Sequence, residues 1–311
     1  MKLERISDKP ILTPSNNWWE NKQVFNPGVT IFEDKIILLY RAVGNDTISR
    51  FGLATSKDGL NFERFDEPIF EGSAINPYER LGVEDPRITK FGDEYLIFYT
   101  GASVYPIEEV QQKQNKKFSK TPWRIRTFLT KTKDFKSFSH EEIELHFDSK
   151  DSALFPEKIS DKYVLFHRVY PTMNLIYSDN LKLWGENRVL LEPRTGKWDS
   201  ERLGVGAPPF KTEKGWLVFY HGVDVQRIYR LGVFLLDLDD PTKVVYRGNE
   251  PIFEPETIYE KEGVINNVVF ACGAVERDGK YMIYYGAADK VVGGAMINKE
   301  ALLDSININE S

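Results

Sequence analysis

Apolar positions along this chain fall into short dense runs rather than a stripe recurring every 3.6 residues. Five runs resemble one another: "IILLYRA" (36–42), "YLIFYTG" (95–101), "YVLFHRV" (163–169), "WLVFYHG" (216–222) and "YMIYYGA" (281–287). Each is rich in β-branched, aromatic and leucine residues and ends in a polar tip, a strand-forming composition. Aligned on Tyr40, Tyr99, His167, Tyr220 and Tyr285, the copies stand 59, 68, 53 and 65 residues apart. That spacing leaves room for about four short strands per copy.

A polar turn precedes each run ("FEDK", "FGDE", "ISDK", "TEKG", "ERDGK"), and an apolar strand precedes the turn, so each copy contains a β-hairpin. The upstream strands start at "NPGVTI", "EDPRITK", "FPEKI", "APPF" and "FACGAV". Three copies carry a later polar turn of one type, at 55–62, 130–138 and 177–184, and "LDLDDPTKVVY" (236–246) takes its place in a fourth. A helical period is found only in "IEEVQQKQNKK" (107–117). Five four-stranded units predict an all-β five-bladed β-propeller, in which radial repetition protects the sheet edges. The competing arrangement is a two-sheet sandwich. On the propeller reading residues 1–311 form one domain, with an inserted loop at 104–126 and a C-terminal tail at 299–311. Most of the 15 tyrosines and 20 phenylalanines are then packing between blades.

Composition narrows the function. Hydrophobic residues at 41% and charged residues at 28% describe a soluble globular chain with a substantial core. A formal net charge of −6 argues against nucleic acid or an anionic membrane as partner, so any anion site is local. The N-terminus lacks a secretion signal and no segment nears the ~18 apolar residues of a membrane span, so a cytoplasmic location is expected. The one cysteine, Cys272, excludes an intrachain disulfide, and His140, His146, His167 and His221 show no metal-ligand spacing. No metal or organic cofactor is expected.

Equivalent positions in successive blades point to equivalent places around a propeller axis. After the aligned aromatic or histidine stand Arg41, Thr100, Arg168, His221 and Gly286, three of them cationic or able to become so. At the start of the upstream strand stand Asn26, Asp85, Phe155, Ala207 and Phe270, with Asn26 and Asp85 sharing a station. Lys150 and Arg202 lie close by. The stretch "GVEDPRI" (82–88) puts Glu84, Asp85 and Arg87 on a strand that reads as buried, so these groups must be mutually satisfied or chemically employed. An acid among bases in an acidic protein suggests a small polar ligand carrying negative charge.

The motifs "NPGVTIFEDKIILLYRA", "GLATSKDGLNF", "GVEDPRI", "LFPEKI", "GWLVFYHGV", "LLDLDDPTKVVYR" and "YYGAAD" resemble those of glycoside hydrolase family 130, the mannoside phosphorylases and related mannosidases, from about residue 20 to about 298. The resemblance implies a five-bladed propeller that cleaves a β-mannosidic bond with phosphate and inversion, giving α-mannose 1-phosphate and a shortened acceptor. It implies Asp85 as general acid, its proton relayed through the 3-hydroxyl of the mannosyl unit in the −1 subsite. It places Lys150, Arg168, Arg202, His221 and Tyr229 around phosphate and Asn26, Arg41 and Asp289 around the −1 mannose; Arg50 fits either group. An inverting hydrolase needs a second carboxylate to activate water, whereas here phosphate replaces both water and base. The family's phosphorylases more often carry arginine where Lys150 stands and lysine where Arg202 stands, which preserves charge but exchanges a planar fork for a point charge.

Two other readings compete. One is an inverting β-mannosidase with Glu201 or Glu84 as base; the other is a non-catalytic mannan-binding propeller. Expected partners are a β-mannoside oligosaccharide and inorganic phosphate as co-substrate, without nucleic acid or membrane. The linkage, the acceptor and self-association are left open by the sequence.

Overall fold

A computed structural model of the chain describes residues 1–105 and 123–308. After a short strand β1 (Glu4–Arg5), the first blade holds β2 (Gln23–Phe32), β3 (Lys35–Val43), β4 (Ser49–Ser56) and β5 (Glu63–Arg64), with β6 (Phe70–Glu71) also on β4. The second holds β7 (Val83–Phe91), β8 (Glu94–Val104), β9 (Trp123–Thr132) and β10 (Ser139–Glu141). The third runs β11 (Lys150–Leu154), β12 (Tyr163–Val169), β13 (Thr172–Ser178) and β14 (Gly185–Leu191). The fourth comprises β15 (Arg202–Val205), β16 (Phe210–Thr212), β17 (Gly215–Val223), β18 (Tyr229–Leu236) and β19 (Val244–Arg247). After a short helix α1 (Ile258–Lys261), the fifth adds β20 (Val269–Arg277), β21 (Lys280–Ala287) and β22 (Val291–Asn298). Strand β1 completes this last sheet, Glu4 opposite Met296 and Arg5 opposite Ala295, so the N-terminus closes the ring.

The five apolar runs are the second strands, β3, β8, β12, β17 and β21. They read as continuous rather than alternating because each blade is covered on both faces. Alternate residues serve opposite neighbours: Ile37 and Leu39 pack with Ile88 and Ile97 of the second blade, while Ile36 and Leu38 pack with Val275 and Tyr284 of the fifth. Leu96 and Phe98 meet Leu154 and Leu165; Phe166 and Leu175 meet Trp216 and Val218; Leu217 and Phe219 meet Ile283 and Tyr285. Five interfaces in a closed cycle make a propeller; a sandwich has one.

The later polar turns are one device. Side-chain oxygens of Asp58, Asp134, Asn180 and Asp237 each accept two backbone N–H bonds from residues two and three further on. The expected helix at 107–117 lies outside the described residues, as does most of the expected insertion. The ends of that insertion, Val104 and Trp123–Arg126, are strand residues, Val104 pairing with Trp123. The expected tail begins with helix α2 (Lys299–Asp304), whose Asn298 cap accepts from the Ala301 N–H at 2.9 Å, and Leu302, Leu303 and Ile306 are buried. No helix among the described residues is long and apolar enough to cross a membrane.

What positions the site is a break in the innermost strands. The pairing register shifts between Phe25 and Gly28, between Glu84 and Arg87, and between Lys150 and Ala153. At these bulges Asn26, Asp85 and Asp151 take left-handed φ values of 46°, 53° and 54°. Asparagine and aspartate tolerate this region better than other residues with a Cβ, and the kink turns consecutive side chains toward the axis. The axial station is therefore Asn26, Asp85 and Asp151. Its expected third, fourth and fifth members need correction: Arg168 lies opposite Lys150, His221 opposite Gly204 and Gly286 opposite Phe270. That register puts Asp151, Val205 and Ala271 at the station in place of Phe155, Ala207 and Phe270. Phe155 and Ala207 are instead buried in the cores between blades.

Candidate active site

Asp85 sits at its bulge with its carboxylate buried. Oδ1 accepts from Asn26 Nδ2 at 2.8 Å and from Arg41 Nη1 at 3.3 Å, and Oδ2 faces Lys150 Nζ at 4.0 Å. Arg41 also donates from Nη2 to Glu84 Oε1 at 2.5 Å and from Nε to Ser49 Oγ at 2.9 Å, with its guanidinium over the Phe25 ring. Burial pushes both acids up. For Asp85 the cations Arg41 and Lys150 and the Asn26 amide outweigh it and hold the carboxyl below the ordinary range. Glu84 stays above its ordinary value, since Arg41 only partly offsets burial and Asp85 adds repulsion. Asp289, in the turn after β21, is pushed up to about 6 by burial, with Arg41 opposing and Asp85 adding to the shift.

Arg87 explains the rest of "EDPRI". It is buried and donates Nε to the Gly206 carbonyl at 3.0 Å, Nη2 to the Val205 carbonyl at 2.9 Å and Nη1 to the Asp85 carbonyl at 3.1 Å. It thus clamps the bulge carrying the acid to the fourth blade across the axis.

Beyond Lys150 the cations gather. Arg168 Nη1 lies 2.9 Å from Asp151 Oδ2 and 3.5 Å from His221 Nε2. The His221 ring packs against Phe270 at 4.3 Å between ring centres, tilted by 40°. Burial pulls its pKa down to about 4 although Asp151 opposes the shift, so the imidazole is neutral at pH 7 and does not add the charge expected of it. Arg202 donates from Nη2 to Tyr229 Oη and covers that ring, and Tyr229 in turn lies 6.2 Å from the His221 ring. No carboxylate partner of Arg202 is found among the described residues.

Of the predicted site residues the structure brings together Asn26, Arg41, Asp85, Lys150, Arg168 and His221, with the Arg202–Tyr229 pair beside His221 and Asp289 close enough to feel Arg41 and Asp85. Arg50 is engaged elsewhere: Nη2 donates to Asp46 at 2.6 Å, Nε to Glu71 at 3.1 Å, and the guanidinium covers Trp18. Sequence reasoning missed Asp151. The signal was present, since "EDP" (84–86) and "KDS" (150–152) share their aspartate, but aligning the third copy on "FPEKI" moved the register by four residues. Among the described residues no group of three His, Cys, Asp or Glu side chains is placed to hold a metal ion.

The whole arrangement can present a carboxyl on one side of Lys150 and a set of cations on the other. Comparison with known proteins bears on its use. The family model described as β-1,4-mannooligosaccharide phosphorylase matches residues 2–308. A β-1,2-mannobiose phosphorylase of Thermoanaerobacter sp. strain X514 is 43% identical over 314 residues, covering 96% of this chain and 98% of that protein. A 1,2-β-oligomannan phosphorylase of the same organism is 41% identical over 305 residues, covering 96% and 97%. Among solved structures, the Listeria innocua β-1,2-mannobiose phosphorylase in complex with β-1,2-mannobiose matches with a TM-score of 0.84 at 28% identity, over 98% of this chain and 99% of that one.

Proposed function

Since the chain belongs to glycoside hydrolase family 130, we propose that it is an inverting phosphorylase of β-mannosides, acting on β-1,2-linked mannose and releasing α-mannose 1-phosphate and a shortened acceptor. The linkage follows the relatives named β-1,2-mannobiose and 1,2-β-oligomannan phosphorylase. The roles rest on the side-chain geometry around Asp85 and Lys150.

One observation carries the reading: a buried carboxyl, Asp85, faces Lys150, and behind Lys150 stand Arg168 and the Arg202–Tyr229 pair. Hydrogen phosphate is already nucleophilic and needs positioning and charge neutralisation, not a base. Arg168, Arg202 and Lys150 supply the charge. His221, held neutral, leaves Nδ1 buried without a hydrogen-bond partner among the described residues, an acceptor suited to the single hydroxyl of hydrogen phosphate. A phosphate oxygen attacks the anomeric carbon as the glycosidic bond breaks, and the proton of Asp85 passes by way of the 3-hydroxyl to the departing oxygen. Asn26, Arg41 and Asp289 hold the mannosyl hydroxyls. Arg41 and Lys150 keep Asp85 ionised in the free enzyme; a bound dianion offsets Lys150 and raises the carboxyl toward its protonated, acid-competent form. Glu84, a candidate base for hydrolysis, is engaged by Arg41 at 2.5 Å on the acid's own side of the site, which favours phosphorolysis.

The test is product analysis. Incubation of β-1,2-mannobiose with phosphate is expected to give α-mannose 1-phosphate and mannose in equal amounts, and no turnover without phosphate. Release of mannose in phosphate-free buffer overturns the reading in favour of hydrolysis.

A further inference from the structure

Asp151 is wholly buried, yet neither carboxylate oxygen makes a well-directed hydrogen bond among the described residues. Three basic groups converge on it instead: Arg168 Nη1 at 2.9 Å and His221 Nε2 at 3.5 Å from Oδ2, and Arg87 Nη2 at 3.5 Å from Oδ1. The chain makes room for this meeting. A Cβ at Gly204, the residue opposite His221, would lie 2.4 Å from Asp151 Oδ2 and 2.4 Å from His221 Cε1. Asp151 also occupies the same left-handed bulge as Asn26 and Asp85, a backbone arrangement the fold uses to aim side chains at the axis.

We propose that Asp151 is a positioning residue for phosphorolysis, which orients Arg168 and the His221 imidazole toward phosphate without touching phosphate itself. The inference rests on the phosphate site described above. Its carboxylate fixes the Arg168 guanidinium by charge. It also sets the His221 tautomer: Arg168 Nη1, a donor 3.5 Å from Nε2, favours a bare nitrogen there, and the Asp151 carboxylate at the same 3.5 Å tips the balance to a proton on Nε2 and leaves Nδ1 bare. Through Arg87, whose Nη1 donates to the Asp85 carbonyl at 3.1 Å, the same carboxylate connects the cations to the backbone that carries the acid.

A second view of Asp151 gives the opposite sign. A carboxylate that merely dilutes the charge of Arg168 repels phosphate, and neutralising it tightens phosphate binding. A positioning carboxylate loses its hold when one oxygen becomes an amide, which presents a donor to two cations and an imidazole. The experiment is a cycle of Asp151→Asn, Arg168→Ala and the double variant, reading KM for phosphate and KM for β-1,2-mannobiose separately, with thermal melting as the check on folding. The expected result for Asp151→Asn is a phosphate KM raised about tenfold or more and a mannobiose KM within about twofold of the parent enzyme. In the Arg168→Ala background the same substitution should change phosphate KM by less than about twofold, because it acts through the missing guanidinium. A lowered phosphate KM, an equal rise for both substrates, or multiplying effects in the double variant overturns the proposal. An unchanged phosphate KM in Arg168→Ala alone instead removes the phosphate-site reading. Should the Asp151 variants fail to fold, 15N spectra of histidine-labelled parent enzyme decide: the proton of His221 is expected on Nε2 at pH 7, and a proton on Nδ1 refutes the inference.

Discussion

Replacing Asp85 by asparagine separates its chemical part from its structural one. The amide keeps the shape of the carboxylate, so an oxygen remains for the Asn26 amide now at 2.8 Å and for Arg41 at 3.3 Å. What disappears is a negative charge 3.3 Å from Arg41 and 4.0 Å from Lys150. At those distances each lost attraction is about 4–5 kcal/mol in a protein-like dielectric, and the loss is largely offset by no longer burying an ion, which itself costs several kcal/mol, and by Arg41 keeping Glu84 as its partner. Stability should therefore change by no more than about 2 kcal/mol and the variant should fold. The loss of a proton donor is felt in the rate. General acid catalysis contributes about 10²- to 10⁴-fold, and a sugar alkoxide is so poor a leaving group that the upper part of this range applies. Expressed as a barrier, about 10³- to 10⁴-fold is about 4–5 kcal/mol. The assay compares phosphate-dependent turnover of β-1,2-mannobiose with that of 2,4-dinitrophenyl β-mannoside, whose leaving group needs no proton. The variant should lose about 10³-fold or more on the disaccharide and less than about tenfold on the activated substrate. Equal losses on both by a folded variant, or more than a few per cent of residual disaccharide activity, refute Asp85 as the acid.

Arg87→Met tests the clamp across the axis. It strands the carbonyls of Gly206, Val205 and Asp85, and takes one cation from Asp151, for a destabilisation of about 3–5 kcal/mol in urea unfolding; a loss below about 1 kcal/mol contradicts that role. Asp289→Asn tests the raised carboxyl. Because the folded pKa of about 6 lies above the unfolded value near 4, the wild-type carboxyl favours folding most at low pH and that contribution is lost as pH rises through 6. The variant should gain on the parent between about pH 4 and about pH 6, by up to about 3 kcal/mol, and hold a constant advantage above. A stability difference that does not vary from pH 4 to pH 7.5 refutes the shift.

The architecture was legible because its signal is repeated. Five strand runs with their turns, each covered on both faces, leave the same apolar imprint five times, and the polar turns at Asp58, Asp134, Asn180 and Asp237 recur with the same bonding. Asp85 and Arg41 stood out because charge within a buried run is costly and so needs a reason. Asp151 did not stand out because its strand is short and its bulge shifts the register, so an alignment by apolar content slides past it. The ionisation of His221 was hidden for another reason. A polar tip that looks cationic in sequence is neutral once Phe270 and the surrounding blades exclude water from it. The engagement of Arg50 with Asp46 and Glu71 likewise depends on side chains that only the folded loop brings together.

The three bulges show how one backbone device yields an asymmetric site. At Asn26 and Asp85 the kink delivers an amide and a carboxyl to the same place, where Arg41 stands among Glu84, Asp85 and Asp289 and the surroundings lean negative, a setting for hydroxyl groups. At Asp151 the same kink delivers a carboxylate to a region where Arg87, Arg168 and Lys150 outnumber it, and the surroundings lean positive. On the proposed reading, a sugar ring and an oxyanion brought to this place sort themselves accordingly, the ring toward Asp85 and the anion away from it. The boundary between the two halves is Lys150, which faces the Asp85 carboxylate on one side and is paired in the sheet with Arg168 on the other. On the proposed reading, an anion arriving at Arg168 competes with Asp85 for this lysine, and Asp85 then gains the proton that the proposed mechanism has it donate. In such a site the proposed nucleophile arms the proposed acid, and a chain acidic overall still presents a local group of cations to an anion.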